Sequence, residues 1–355
     1  MSDGEVIDAI LKGYKVHHKP SNVVNITFTA GLLSVQELDN KKQFLSSTMW
    51  MIFSWYDHRV VWNASLSSEK SILADSNKFW KPELIIANGI KGQELLHNGG
   101  SLVVTSHGNI RWLLTGAMET KCPINIYKFP FDTQTCEIEV GGWFGDLNKI
   151  SISRETGLNM KQFKENSEFE IYVDDIADIH RSYSTNIFRV TIHLKRRPLF
   201  YIFTILLPML LLYFLNSFVF LLPSQSGEKT SAAVSVLLSF QLFLSIIRDS
   251  LPENSLTVSL FSLYVSLVNF TSVVIVVVNI LLFKMKESLP PKWVLGMYKK
   301  DIRKVDVEMG NVEDEEQGRP KWEDIEPKLN KACFLFFFVF SCGATSAMLG
   351  MLTML

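Results

Sequence analysis

The sequence predicts a β-sandwich extracellular domain followed by a four-helix transmembrane bundle, a multi-domain membrane protein. Three observations carry that expectation. Residues 1–197 alternate apolar and polar side chains over short stretches, the period of half-buried strands. Residues 198–355 hold four apolar runs, at 199–222, 230–251, 256–283 and 332–355. Each is near or above the roughly 20 residues that cross a bilayer as a helix, and all are too long for core strands. The connection between the third and fourth runs is rich in charge, which sets it in water. The expected organisation is an outer domain at 1–197, three spans within 198–284, an inner loop at 285–330 and a last span at 331–355.

Taken in order, the chain opens on a short amphipathic helix. Val6, Ile7, Ile10 and Leu11 share one face, and Asp3 is the expected cap. Pro20 closes this lead-in. Val24, Ile26 and Phe28 then alternate with Asn25, Thr27 and Thr29, a strand with Asn25 pointing outward. Similar patterning marks strands at 49–62, 101–114, 136–140, 149–152, 169–173 and 186–193, with turns at Asn98-Gly99-Gly100 and Ser106-His107-Gly108-Asn109. Many short strands outside the membrane point to a sandwich. Of the four cysteines, Cys122 and Cys136 lie in this domain and enclose thirteen residues. A disulfide there would close a compact loop, an entropic gain of roughly 3 kcal/mol. Cys333 and Cys342 fall in the last span, too far apart on a helix to bridge.

The second span is not uniformly apolar. Stepping by four and three from Ser231 meets Ser235, Leu238, Leu242, Ser245 and Asp249, all on one helical face. Glu228 closes the stripe at the other end. A hydroxyl stripe in a membrane helix must hide from lipid, either against a packed helix or along water. Carboxylates at both ends with leucines between them suit a cation path with an apolar constriction. Lys229 lies about 100° round the helix from Glu228 and is expected to point away from the stripe.

Orientation follows from the loops. Lys284, Lys286, Lys292, Lys299, Lys300, Arg303 and Lys304 follow the third span, which places that connection inside the cell. Residues 1–197 are then outside, and four spans return the carboxyl end to the same side. Sequons at Asn25 and Asn63 agree with an extracellular domain. The opening residues lack the basic head and apolar core of a signal peptide, so the chain reads as a mature form. The stretch 313–320 reads as disordered, and 322–331 as an amphipathic extension of the last span.

Composition removes other classes. A net charge of −1 argues against a nucleic-acid partner. No phosphate loop, GxSxG or HExxH spacing is present, and His17-His18 has no third ligand nearby in sequence. No cofactor, metal site or enzymatic activity is expected.

The Cys122-x13-Cys136 loop contains Phe129-Pro130-Phe131-Asp132, and there the chain resembles the Cys-loop receptors, the pentameric ligand-gated ion channels. The resemblance extends over nearly the whole chain. Trp50-x4-Trp55-x-Asp57-x4-Trp62 is similar to the family's second-strand motif, and Trp80-x-Pro82-Glu83 to its WxPD, with Glu in place of Asp. Gly142-Trp143, Lys195-Arg196-Arg197-Pro198 and Pro208 also match. Gly227-Glu228-Lys229, without a Pro-Ala insertion, resembles the nicotinic and serotonin-gated, cation-selective branch.

That resemblance implies a homopentamer or heteropentamer around the second span, in the plasma membrane, with both termini extracellular. It implies a pore lined by Glu228, Ser231, Ser235, Leu238, Leu242, Ser245 and Asp249 that carries monovalent cations, with membrane lipid around the helices. It implies a ligand site between neighbouring outer domains, with Trp143 and Tyr183 on one face and Trp50, Ile52, Arg111 and Leu113 on the other. Trp55 and Trp62 are expected in the core. Ala87 stands where amine-gated members carry a tyrosine, and the adjacent cysteine pair of acetylcholine-binding subunits is absent. The expected ligand is therefore a small cation or zwitterion held by fewer rings than usual, with Arg111 placed to meet a carboxylate. Asp132, Arg196 and Pro252 are implied to couple the outer domain to the spans, beside a turn at 39–42. The same signatures leave open a non-conducting or obligately heteromeric subunit, or a member binding a modulator in an atypical aromatic box.

Overall fold

The computed structural model describes residues 2–64, 70–91, 94–95, 101–142, 150–154, 157–174, 176–180, 186–223, 228–250, 258–285 and 322–354. They divide into a sheet unit (Met1–Asn125 and Asp132–Arg197) and a helical unit (Ile126–Phe131 and Pro198–Leu355).

The sheet unit begins with helix α1 (Asp3–Leu11). Its cap is Ser2, not Asp3. The Ser2 hydroxyl accepts the Glu5 N–H and the Glu5 carboxylate accepts the Ser2 N–H, a reciprocal pairing that leaves Asp3 inside the first turn. Twelve strands follow among the described residues: β1 (Val24–Asp39), β2 (Phe44–Tyr56), β3 (Ser71–Ala74), β4 (Leu84–Ile86), β5 (Glu94–Leu95), β6 (Ser101–Thr105), β7 (Asn109–Lys121), β8 (Thr133–Gly142), β9 (Ile150–Arg154), β10 (Phe169–Val173), β11 (Ala177–His180) and β12 (Asn186–Arg196). One sheet runs β3-β6-β7-β2-β1-β9; the other runs β10-β12-β8-β4-β5, with β11 against β12. Phe28 of β1 packs at 5.1 Å on Phe53 of β2 and at 5.4 Å on Phe188 of β12, so one aromatic cluster joins both inner faces.

Several strands differ from the sequence expectation for local reasons. The 49–62 run ends as a strand at Tyr56, because Asp57 accepts the Arg59 N–H and starts a tight turn at His58–Val60. The 101–114 run is two strands, β6 and β7, hinged on Gly108. That glycine has φ +84°, and a Cβ there would come within 2.8 Å of the Asp57 carbonyl oxygen. In β1, register shifts between Leu32 and Ser34 and between Val35 and Glu37 rephase the strand, so Leu32, Val35 and Leu38 are all buried. The turn expected at 98–100 lies outside the described residues.

Asp57 also organises the start of the chain. Its carboxylate, with the side chain fully buried, accepts from Arg59 Nε (2.9 Å) and Nη2 (2.7 Å) and from the Tyr14 hydroxyl (2.9 Å). Arg59 Nη1 donates to the His18 carbonyl (2.7 Å), and its guanidinium lies 4.3 Å over the Tyr14 ring. Burial alone would raise the Asp57 carboxyl, but the bonds from Arg59 and Tyr14 outweigh it and hold the group below its usual range. A carboxyl depressed in the folded state adds stability above its unfolded value, and that stability is lost as pH falls through the folded value. Asp57→Asn is expected to cost roughly 2 kcal/mol near neutral pH. The gap from wild type should shrink below about pH 4 as the native carboxylate protonates. Tryptophan-monitored thermal unfolding of the whole chain in detergent, wild type against variant, checks this; a gap independent of pH would refute it.

The helical unit contains α2 (Leu199–Leu221), α3 (Glu228–Ser250), α4 (Leu260–Met285) and α5 (Trp322–Met354). All four are long and apolar enough to cross a membrane. α2 widens to a π turn at Ile202–Leu206, just before Pro208, whose missing N–H and ring disrupt regular α bonding. α5 starts at Trp322, so the last span carries the expected amphipathic extension and the 285–330 loop is helical from 322 onward. Residues 286–321 lie outside the described residues. Aromatic pairs close the bundle: Phe220 stacks on Phe337 at 5.5 Å, and the Tyr264 hydroxyl bonds Thr345 Oγ1 at 2.9 Å. The segment Ile126–Phe131 packs here as well: the Leu260 N–H donates to the Tyr127 carbonyl (3.1 Å), and Phe129 meets Tyr201 edge-on at 5.0 Å.

Candidate pore helix and ligand-binding face

Helix α3 has two unlike faces. Lys229, Ala233, Val236, Phe240 and Ile247 are buried in the bundle. Glu228, Ser231, Ser235, Leu238, Leu242 and Ser245 are exposed among the described residues. Leu238 is 60% exposed and Leu242 70%, so most of each side chain is left uncovered by its own bundle. The Ser235 hydroxyl donates to the Ser231 carbonyl at 2.9 Å, which satisfies it while leaving its lone pairs outward. Lys229 turns inward: its Nζ donates to Asn330 Oδ1 (2.7 Å) and sits 5.4 Å over the Phe220 ring. Arg248 is exposed. The Asp249 side chain lies outside the described residues. The exposed face is broader than a single stripe, because Val234, Gln241 and Ile246 share it. A four-and-three walk from Ser231 traces only its centre line; counting positions within one residue of that line would have found them.

In the sheet unit, β2 and β7 pair so that Ile52 faces Leu113, Ser54 faces Arg111 and Trp50 faces Thr115. Met51, Phe53, Trp112 and Leu114 fill the core between them, which sends Trp50, Ile52, Arg111 and Leu113 together to the outer face. Trp50 lies across Gly31 of β1, where a methyl group would overlap the indole. Trp55 is in the core, edge-on to Trp80 at 5.8 Å. Ala87 is on the other sheet, its N–H donating to the Glu139 carbonyl at 2.8 Å just past β4. Trp143 follows β8 and Tyr183 lies between β11 and β12, both outside the described residues. β11, β12, β8 and β4 are neighbours, so the chain flanking these two residues and Ala87 belongs to one sheet. Among the described residues, Trp50, Ile52, Arg111 and Leu113 therefore belong to one sheet, and Ala87 lies at the end of a strand of the other.

Sequence reasoning missed the braces behind Ala87. Asn88 donates to the Glu137 carbonyl (2.7 Å) and accepts the Glu139 N–H (3.1 Å), while Arg189 pairs with Glu139 at 2.8 Å. Polar residues inside the alternating β8 and β12 patterns were the available signal.

Two family models cover most of the chain: the neurotransmitter-gated ion-channel ligand binding domain matches residues 3–198, and the neurotransmitter-gated ion-channel transmembrane region matches residues 205–322. The chain belongs to the neurotransmitter-gated ion channel family. That family comprises ligand-gated channels, not enzymes, and its four spans make this member a multi-pass membrane protein. It is 32% identical to ligand-gated ion channel 4 of Caenorhabditis elegans over 70% of this chain and 40% of that protein. It is 28% identical to neuronal acetylcholine receptor subunit alpha-3 of Carassius auratus, over 80% of this chain and 58% of that subunit. It is likewise 28% identical to subunit alpha-6 of Homo sapiens, over 80% and 60%. The chain thus spans about two fifths to three fifths of the length of these curated relatives.

This neurotransmitter-gated channel family member joins Cys122 to Cys136 by a disulfide, while Cys333 and Cys342 are free. Asn25 and Asn63 are exposed on the sheet unit. Asp132 and Arg196 meet in a buried ion pair, Nε to Oδ1 at 2.9 Å, with side chains 2% and 1% exposed. Glu168 takes Nη1 at 2.7 Å, Gln134 donates to Asp132 Oδ2 at 2.6 Å, and the guanidinium lies 4.8 Å over Phe169. From the 39–42 turn it is Asn40 that reaches Arg196 (3.4 Å); Asp39 instead accepts the Lys42 N–H at 2.8 Å. Pro252 lies outside the described residues.

Proposed function

We propose that the chain is a subunit of a pentameric, cation-selective channel of the plasma membrane, opened by a small cationic or zwitterionic ligand bound between neighbouring sheet units. The uncovered polar face of α3 carries this reading. A membrane helix that buries Ala233, Val236 and Phe240 yet leaves Ser231, Ser235 and Ser245 open needs a wet surface opposite. A closed ring of identical chains supplies one, because each copy presents the same face to a common axis. Such a ring also sets the Trp50, Ile52, Arg111 and Leu113 face of one copy toward the Ala87 side of the next, which lies on the other sheet. Trp50, Trp143 and Tyr183 hold the cation by ring faces, Ile52 and Leu113 complete the wall, Ala87 leaves it open on one side, and Arg111 takes a carboxylate. Asp132, Arg196 and Pro252 transmit the motion of the sheets to α3. Both chain termini are extracellular.

Selectivity comes from Glu228, exposed at the start of α3, since Lys229 is withdrawn into the bundle. At roughly 5 Å in a water-like dielectric each carboxylate favours a cation by about 0.8 kcal/mol, and a ring multiplies the effect. Leak current through Leu238→Ser chains allows the test without an agonist. The reversal potential should follow sodium, and adding Glu228→Gln should lower sodium-over-chloride preference roughly tenfold. A reversal potential that follows chloride would overturn the reading. Current that appears only on co-expression with a second subunit would exclude the homomeric form.

A further inference from the structure

The sheet unit holds a cavity of about 750 Å³ that Trp50, Ile52, Arg111 and Leu113 do not line; its walls come from the 16–19 segment, from Asn77, Phe79, Trp80, Lys81 and Glu83, and from the start of β9. Its volume is that of a small-molecule pocket, within the usual range of about 300–1,000 Å³. The rim is basic: His17, His18, Lys19 and Lys81 stand against one carboxylate, Glu83. The floor is apolar, formed by the buried rings of Phe79 and Trp80. The walls are fixed in place. Arg59 grips the His18 carbonyl, and the Tyr14 hydroxyl accepts the Trp80 N–H at 3.0 Å, so both sides of the cavity hang on the Tyr14–Asp57–Arg59 cluster.

Lys81 is the chemically distinctive wall. It is half-buried, lies 5.4 Å over the Trp112 ring, and makes no ion pair with a carboxylate among the described residues. Burial pushes its amine below the usual lysine range, and the more distant Asp75 opposes this only in part. A partly desolvated ammonium at the edge of a basic cavity gains most from an incoming anion. A metal cation is disfavoured, because no three His, Cys, Asp or Glu side chains converge among the described residues. A compact inorganic anion would leave the aromatic floor bare, and a neutral hydrocarbon would leave Lys81 unpaired.

We propose that this cavity binds a small carboxylate with an apolar body, the carboxylate on Lys81 and the imidazole N–H groups, the body on Trp80 and Phe79. The site lies within one chain and does not depend on the assembly or on the ligand face proposed above. The test titrates the full-length protein in detergent micelles with benzoate, using benzamide as the uncharged isostere and inorganic phosphate as the compact anion. Saturable benzoate binding, at least tenfold tighter than benzamide or phosphate, is the expected result. Lys81→Met should weaken benzoate about tenfold, while Lys81→Arg should retain it and Glu83→Gln should tighten it. Arg111→Gln should leave it unchanged. The wild-type comparison of benzoate with benzamide stands even if Lys81→Met fails to fold. Equal binding of benzamide, no saturable benzoate binding, or benzoate binding lost with Arg111 and kept without Lys81 would each overturn the proposal.

Discussion

Arg196→Ala is expected to bring surface expression down to a small fraction of wild type. The guanidinium is 1% exposed and the Asp132 carboxylate 2%, so removing the arginine leaves a buried negative charge with Gln134 as its remaining named side-chain donor. Breaking a buried pair in this way costs about 3–5 kcal/mol, against a total domain stability of about 5–15 kcal/mol. Glu168 loses the guanidinium 2.7 Å away, and Phe169 loses the cation above its ring. Arg196→Lys should fall between, because an ammonium keeps the charge but cannot bond Asp132, Glu168 and Asn40 in one plane. A double replacement, Arg196→Met with Asp132→Leu, separates structure from signalling. Exchanging the whole pair for apolar groups is often near neutral for stability, so surface labelling should recover. If the pair also transmits ligand binding to the pore, the recovered chains should gate poorly. Full recovery of gating would reduce the pair to a structural clamp, and normal surface levels for Arg196→Ala would remove even that.

Much of this site was legible before any coordinates. Asp132 and Arg196 are singled out as coupling residues by the resemblance of their motifs, and the structure places them in contact. Asn40, Gln134 and Glu168 were not legible, because each is an ordinary polar residue in a turn or strand and only tertiary folding sends it to Arg196. The long strands and the four spans follow from period and length alone. The strands of two to four residues, β3, β4, β5 and β11, are too short to show a period. The end of β2 at Tyr56 was hidden for a related reason: Val60 and Trp62 keep the alternation going while Asp57 turns the backbone into its buried network. The expected cap, Asp3, yields to Ser2 because Glu5 at the third helical position completes the reciprocal pairing with Ser2. On α3 the angle between Lys229 and Glu228 turns the lysine off the stripe, as the sequence suggests, but its burial against Asn330, on a helix a hundred residues on, has no local sign.

Leu238→Ser is expected to open the channel without ligand. Leu238 and Leu242 are 60% and 70% exposed on α3, one turn apart, with Ser231 and Ser235 on one side and Ser245 on the other. In a ring of chains each leucine becomes an apolar collar, and water in a narrow apolar collar loses hydrogen bonds that it cannot regain, so the pore dries there and ions stop. A serine at 238 fits the helix, because its hydroxyl can donate to the carbonyl one turn back, as Ser235 does to Ser231 and Ser239 to Ser235. It wets the collar with little disturbance of the bundle, since the leucine it replaces is 60% exposed. If each subunit shifts the closed–open balance by only about 0.5 kcal/mol, five copies shift it by about 2.5 kcal/mol, on the order of fifty-fold or more in the open fraction. The readout is standing current blocked by a pore-sized cation, recorded beside surface labelling of the same cells. Leucines that instead pack against neighbouring subunits would give the opposite sign, with less protein at the surface and no leak. Silent channels at normal surface density would defeat the gate assignment, because the collar would then have been made polar without admitting ions.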